Sequence, residues 1–235
     1  MIKILHLYYD VMNLYGEYGN ITVLCDLLKK NNIEYSLSKY SINDVFDFND
    51  YDFIYCGSGT ETKTKFVLED FMSRKESFIK AFLNNKIILY TGSSFALLGK
   101  SLDSKDAMNI FNYDVVQSKI RSSGDYIASC EEFKDIVGFV NTSYSINNSN
   151  DAYIKIDKCD DSIKAFKNIG FKNNNLLAIN GIGPLLVKNP IILKSYYLEL
   201  IGLSNENIDA VQGASINQEE SYIVALDALR NRFNN

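Results

Sequence analysis

Residues 87–101 read IILYTGSSFALLGKS. They divide into an apolar strand, a glycine-containing turn and an apolar run with helical spacing. A short buried strand that feeds a helix through a tight turn is a unit of a parallel α/β sheet. In many α/β enzymes this junction holds a nucleophile, because open α/β sheets place ligands at the C-terminal ends of their strands. Here the turn is Thr91-Gly92-Ser93-Ser94, with no cysteine and no obvious base to activate a serine.

The same unit recurs on the N-terminal side. IKILHLY (2–8) is strand-like, and NITVLCDLLKKN (20–31) places Ile21, Leu24, Cys25 and Leu28 on one helical face. IEYSLSKY (33–40) alternates with period two. YDFIYC (51–56) is a short apolar run closed by Gly57-Ser58-Gly59, and a helical segment covers roughly 61–83. Short apolar strands separated by helices predict a mainly parallel sheet with helices on both faces. Residues 109–170 change character: YDVVQSKI, DYIASC and DIVGFV predict a small antiparallel extension. LLAIN (176–180) is one more apolar strand. NPIILKSYYLELIG starts a helix at Asn189-Pro190 and stops it at Gly202. Tyr222, Leu226, Leu229 and Phe233 form a helical stripe expected to pack on the sheet.

No repeat and no linker interrupts the 235 residues, which are expected to form a single domain spanning 1–235. A net charge of -5 with no basic stripe argues against a nucleic-acid or anionic-membrane partner. Four cysteines without CxxC spacing and a single histidine, His6, argue against a zinc site. They read as reduced thiols in a cytoplasmic protein. No cofactor is expected, and no apolar run reaches membrane-spanning length.

Three motifs are discounted. LGKS (98–101) ends like a P-loop, but Ser94 stands where that motif needs a glycine. YGEYGN (15–20) reads as a turn feeding a helix. Asp160 and Asp161 are adjacent, point apart and read as a solvated turn. The loops Gly57-Ser58-Gly59 and Gly92-Ser93-Ser94 remain. Backbone N–H groups from two such loops can form an oxyanion hole, and small residues can equally serve only tight turns. Both readings stay open on spacing alone.

The residues carry a resemblance over nearly the whole chain. DVMNLYGEYGNITVL (10–24), DFIYCGSGTE (52–61), the elbow stretch, RSSGD (121–125), VGFVN (137–141) and NGIGPLLVKNP (180–190) occur in the right order. Together they resemble class I glutamine amidotransferases of the cobyric-acid-synthase-like type, and within it the amidotransferase subunit of lipid II isoglutaminyl synthase. The resemblance implies a Mur-ligase-like partner (MurT) and a peptidoglycan precursor as the complex's substrate. It also implies an oxyanion loop at Gly57, Ser58, Gly59 and Ser93, and a small amino-acid ligand near Arg121, whose guanidinium could hold an α-carboxylate or equally form a surface salt bridge.

The departures fall on the chemistry. The family's nucleophilic cysteine aligns with Gly92, the glutamine four residues on with Ala96, and the histidine with Ile182. Glutamine hydrolysis needs a thiolate and an imidazole to move the proton, and glycine and isoleucine supply neither. The expectation is a non-catalytic pseudoenzyme. The alternatives are an active amidotransferase subunit with an unrecognised nucleophile, or a serine hydrolase using Ser93 or Ser94. The elbow reading further predicts a positive φ at Gly92, a Ser93 N–H aimed into a shallow cleft, and Ile182 lining that cleft.

Overall fold

The computed structural model describes residues 1–147, 152–211 and 216–234. In chain order its first half comprises β1 (Ile2–Leu7), α1 (Gly19–Lys30), β2 (Tyr35–Tyr40), β3 (Phe53–Cys56), α2 (Glu61–Ser73), α3 (Lys75–Leu83) and β4 (Ile87–Thr91). Then follow β5 (Ser101–Leu102), β6 (Lys105–Asp106), β7 (Asp114–Ser129), β8 (Ile136–Asn147), β9 (Ile154–Cys159), β10 (Asn168–Asn173) and β11 (Leu176–Ile179). The chain ends in α4 (Leu185–Lys188), α5 (Pro190–Leu200) and α6 (Ile216–Asn234).

The strands form one mixed sheet. Its parallel part runs β2-β1-β3-β4-β11, and β10, β9, β7 and β8 continue it antiparallel. Alternation within the apolar strands explains the two helical layers, because successive strand residues point to opposite faces. Ile4, Phe53, Tyr55, Leu89, Leu177 and Ile179 face α1 and α5, with Leu24, Leu28 and Leu193. Leu5, Ile54, Cys56, Ile88, Tyr90 and Ala178 face α2 and α3, with Val67, Phe71 and Phe78. A strand buried on both sides has no polar face, which is why these segments read as continuous apolar runs.

The antiparallel extension is built on two long strands, β7 and β8. Their register slips between Gln117 and Ser122, so that residues 118–121 bulge from the ladder. The C-terminal stripe packs as expected: Leu226 is buried against Ile127 and Val137, with Tyr222, Leu229 and Phe233 around it. Two local expectations change. The helical segment 61–83 is two helices, broken at Arg74 (φ −100°, ψ 10°), whose guanidinium turns back onto Asp70 at 2.9 Å. The run after β4 is not an α-helix but seven residues of 3-10 helix, Gly92–Leu98, all buried.

Candidate functional site

The site lies at the C-terminal ends of β3, β4 and β11. Gly92 follows β4 directly with φ +59°, the left-handed conformation that glycine adopts without penalty and other residues rarely enter. Its N–H donates to the Gly181 carbonyl at 2.9 Å, which ties the elbow to the loop after β11. From that loop Ile182 donates its N–H to the Phe139 carbonyl at 2.9 Å. The Ile182 side chain comes against Gly92: a Cβ added there would lie 2.6 Å from Ile182 Cγ2, and closer still to Ser58 Cβ and Oγ. The space a side chain at position 92 would take is therefore already filled.

The donors of the two small-residue loops are engaged from within. The Ser93 N–H donates to Ser58 Oγ at 3.1 Å, and the Gly59 N–H donates to Ser93 Oγ at 2.9 Å. Gly57 is fixed by close approach of the Met12 carbonyl, 2.6 Å from where its Cβ would stand. The expectation for Ser93 thus needs correction. Its N–H is capped by the Ser58 hydroxyl and does not open into a cleft. Ile182 is correctly placed beside Gly92, but it is only 5% exposed and does not line the nearby cleft. That cleft, about 110 Å³, is walled by Leu14, Tyr15, Gly59, Glu61, Ser93 and Arg121, with Thr60 and Asn141.

Neither serine is set up as a nucleophile. Ser93 Oγ donates to the Gly59 carbonyl at 2.8 Å and accepts from Thr64 Oγ1 at 2.8 Å. Ser94 Oγ is fully buried and donates to the carbonyls of Cys56 and Thr91. His6 is bonded to neither; it is buried in β1 between the rings of Tyr9 and Tyr55, and Nε2 has no partner among the described residues. Burial, then the charge of Lys39, lowers its imidazole to about 4. His6 is therefore a buried ring, neutral near pH 7. Complete burial pushes the Cys56 thiol well up, which leaves it a core residue.

Arg121, at the end of the β7 bulge, grips Glu61 with both carboxylate oxygens at 2.9 Å and reaches Asn141 Oδ1 at 3.1 Å. Burial alone would raise the Glu61 carboxyl. The Ser143 N–H, Arg121 and the Ser143 hydroxyl outweigh it and hold the group at about 2. The guanidinium is thereby committed to α2.

One functional-site residue was missed in the sequence. Glu17, in the YGEYGN stretch, is fully buried beneath the elbow. It accepts from the hydroxyls of Thr91 and Tyr55 (the latter at 3.0 Å) and from the Gly183 N–H at 3.0 Å. Burial raises its carboxyl to about 7, against the pull of these donors and of Lys188. Asn20 extends the network by donating to Tyr55 at 2.8 Å and accepting from the Leu186 N–H at 2.7 Å. A lone acid ahead of an apolar helix was the only signal, and a turn explains it equally well. Among the described residues, no group of three or more His, Cys, Asp or Glu side chains could hold a metal ion.

Comparison with known proteins agrees with this fold. No family model matches the chain. It is 30% identical over 149 residues to the lipid II isoglutaminyl synthase (glutamine-hydrolyzing) subunit GatD of Streptococcus pneumoniae R6, over 60% of this chain and 56% of that relative. The match thus spans little more than half of the pneumococcal protein's length. The corresponding subunit of Staphylococcus aureus N315 is 24% identical over 197 residues, covering 80% of this chain and 79% of the relative. Among solved structures, a glutamine amidotransferase aligns with TM-score 0.55 and 14% identity, over 85% of this chain and 99% of its own. The glutaminase domain of Trypanosoma brucei CTPS, with bound acivicin, aligns with TM-score 0.56 and 10% identity, over 93% and 97%. The chain has the class I glutamine amidotransferase fold, and its curated homologues are GatD subunits.

Proposed function

We propose that this chain is a GatD-like subunit that has kept the amidotransferase fold and lost the glutaminase reaction. Its role is to support or regulate a partner, which by resemblance is a Mur-ligase-like protein (MurT) acting on a peptidoglycan precursor in the cytoplasm. The relatives are themselves named as subunits of lipid II isoglutaminyl synthase, which supports a partnered role. Among the described residues no helix is long and apolar enough to cross a membrane, which is compatible with that location.

The observation that carries the reading is the filled space at the elbow. Gly92 offers no thiol, Ile182 no imidazole, and the Ser58 hydroxymethyl and the Ile182 side chain occupy the room a side chain at 92 would need. The N–H groups of Ser93 and Gly59, the remnant of an oxyanion hole, are bonded to Ser58 and Ser93 hydroxyls. A substrate carbonyl would have to displace both. An amino-acid ligand at Arg121 would likewise compete with the bidentate Glu61, so Arg121 is assigned as a tie between α2 and β7.

The test is ammonia release from glutamine by the purified chain, alone and co-expressed with a Mur-ligase-like protein of its native host. We expect none above background in either case, together with co-purification of the two proteins. Turnover of about 1 per second or faster, an ordinary enzyme rate, overturns the loss of activity. Recovery only as a free monomer at native expression levels overturns the partnership.

A further inference from the structure

A second cavity opens at the opposite end of β11 from the elbow, and its chemistry owes nothing to the glutaminase reading. It encloses about 280 Å³ between α5, the turn from β10 to β11, the start of β9 and the segment after β7. That is close to the lower end of the roughly 300–1,000 Å³ typical of small-molecule sites. Its walls include three aromatic rings, those of Phe133, Tyr153 and Tyr196.

The charged groups on those walls are unequal. Glu132 and Glu199 contribute two carboxylates and Lys172 one ammonium. Lys172 is spoken for, since Nζ bonds Glu132 Oε1 at 2.7 Å and lies 5.0 Å from the centre of the Tyr153 ring. Glu199 has no ion pair among the described residues. The residue is exposed at the cavity wall; desolvation raises its carboxyl above the usual range, against the charge of Lys172 and with a smaller push from Glu132. Tyr196 supplies an independent sign. It is 8% exposed and lines the cavity, and its phenol makes no hydrogen bond with any described residue. On the same wall the Tyr153 hydroxyl is buried with no hydrogen-bond partner among the described residues, where a buried phenol ordinarily finds one. Burial, then the charges of Glu199 and Glu132, raises the Tyr196 phenol well above its usual range, so it stays a neutral hydroxyl.

We propose that this cavity binds a small organic cation, an aliphatic or aryl-alkyl ammonium. Its charge sits against Glu199 and the Tyr196 hydroxyl, and its apolar body lies along the Tyr153 and Phe133 rings. A carboxylate without a cation, an oxygen acceptor and aromatic faces are the three features that recognise an ammonium group. An anion would meet two carboxylates there, and a neutral molecule would leave Glu199 uncompensated.

The experiment uses the full chain and three probes of one shape: benzylammonium, benzyl alcohol and benzoate. Binding is followed by amide chemical-shift changes and calorimetry. Benzylammonium should bind with shifts confined to residues around the cavity, and benzoate should not bind. Glu199→Gln, with unchanged circular dichroism and melting, should weaken benzylammonium about tenfold, the scale of one lost ion pair at a partly enclosed site. Tyr196→Phe should weaken it by a smaller factor. Equal affinity for benzylammonium and benzyl alcohol overturns the proposal. So does absence of binding at millimolar probe, or an affinity unchanged by Glu199→Gln. None of these outcomes depends on whether the chain hydrolyses glutamine.

Discussion

Replacing Gly92 by cysteine restores the atom that the elbow lacks, and it should destabilise the protein severely. Two costs add. At φ +59° a residue with a Cβ sits in the left-handed region, at roughly 1–2 kcal/mol. The new Cβ would also stand 2.6 Å from Ile182 Cγ2 and nearer still to Ser58, all buried, and overpacking of this kind costs about 1–3 kcal/mol. The sum is about 2–5 kcal/mol, above the loss expected from backbone strain alone. Urea unfolding of wild type and Gly92→Cys measures it. Ser58→Gly removes the closest neighbour, so the double variant Ser58→Gly/Gly92→Cys should recover about 1–3 kcal/mol through coupling of touching sites. A Gly92→Cys protein within about 0.5 kcal/mol of wild type, as for an ordinary surface change, would refute the filled-elbow geometry. Strict additivity of the two substitutions would refute it as well.

Two further predictions concern pH, and their slopes oppose. Glu17 is held at about 7 by burial, so the native state keeps a proton that the unfolded chain releases near 4.5. Its contribution is present below that pH and is lost as pH rises through 7. Glu17→Gln keeps the neutral shape and should flatten the fall, which at full extent is about 3 kcal/mol. Stability curves of wild type and variant that run parallel from pH 4.5 to 7 would exclude this role. His6 acts in reverse: its imidazole is held at about 4, so its contribution is present above 6.5 and is lost as pH falls through 4. His6→Phe, which preserves the ring contacts with Tyr9 and Tyr55, should remove acid sensitivity in that window, as melting temperature against pH would reveal.

The sheet was legible because burial on both faces makes its inner parallel strands almost wholly apolar, with Lys3 and His6 of β1 among the exceptions. IKILHL, FIYC, IILYT and LLAI all became neighbours in the parallel part. Asn189-Pro190 and Gly202 bounded α5 as expected, although the Asn189 side chain bonds Val137 and Leu185 backbone and leaves the helix N-terminus uncapped. What stayed hidden was set by contacts distant in sequence. The pairing of β7 with β8 is interrupted by the bulge at residues 118–121, which breaks the alternation that would have announced two long strands. The split at Arg74 depends on Asp70, which also accepts from the Tyr8 hydroxyl at 2.6 Å, 62 residues away. Glu17 was unreadable for the same reason, since its partners Tyr55, Thr91 and Gly183 come from β3, β4 and the loop after β11.

Those partners also account for a chain that keeps the N-terminal signature without the residues of the reaction. Within DVMNLYGEYGNITVL, Met12 packs its sulfur against Gly59, and the Leu14 N–H donates to the Ser58 carbonyl at 2.8 Å. Glu17 holds Thr91 and Gly183, and Asn20 holds Tyr55 and the N-terminal turn of α4 through Leu186. The signature thus touches the glycine loop, the end of β4 and the loop after β11. None of those contacts uses a thiol or an imidazole. Removing one of these ties would strand a buried polar group, a cost of about 1–3 kcal/mol each. No side chain at 92 or 182 takes part in these ties. Selection for a stable fold therefore retains the signature whether or not glutamine is hydrolysed. By the same geometry, cysteine at 92 and histidine at 182 are not sufficient to rebuild the centre, because Ser58 still occupies the room of a Cβ at 92 and still caps the Ser93 N–H.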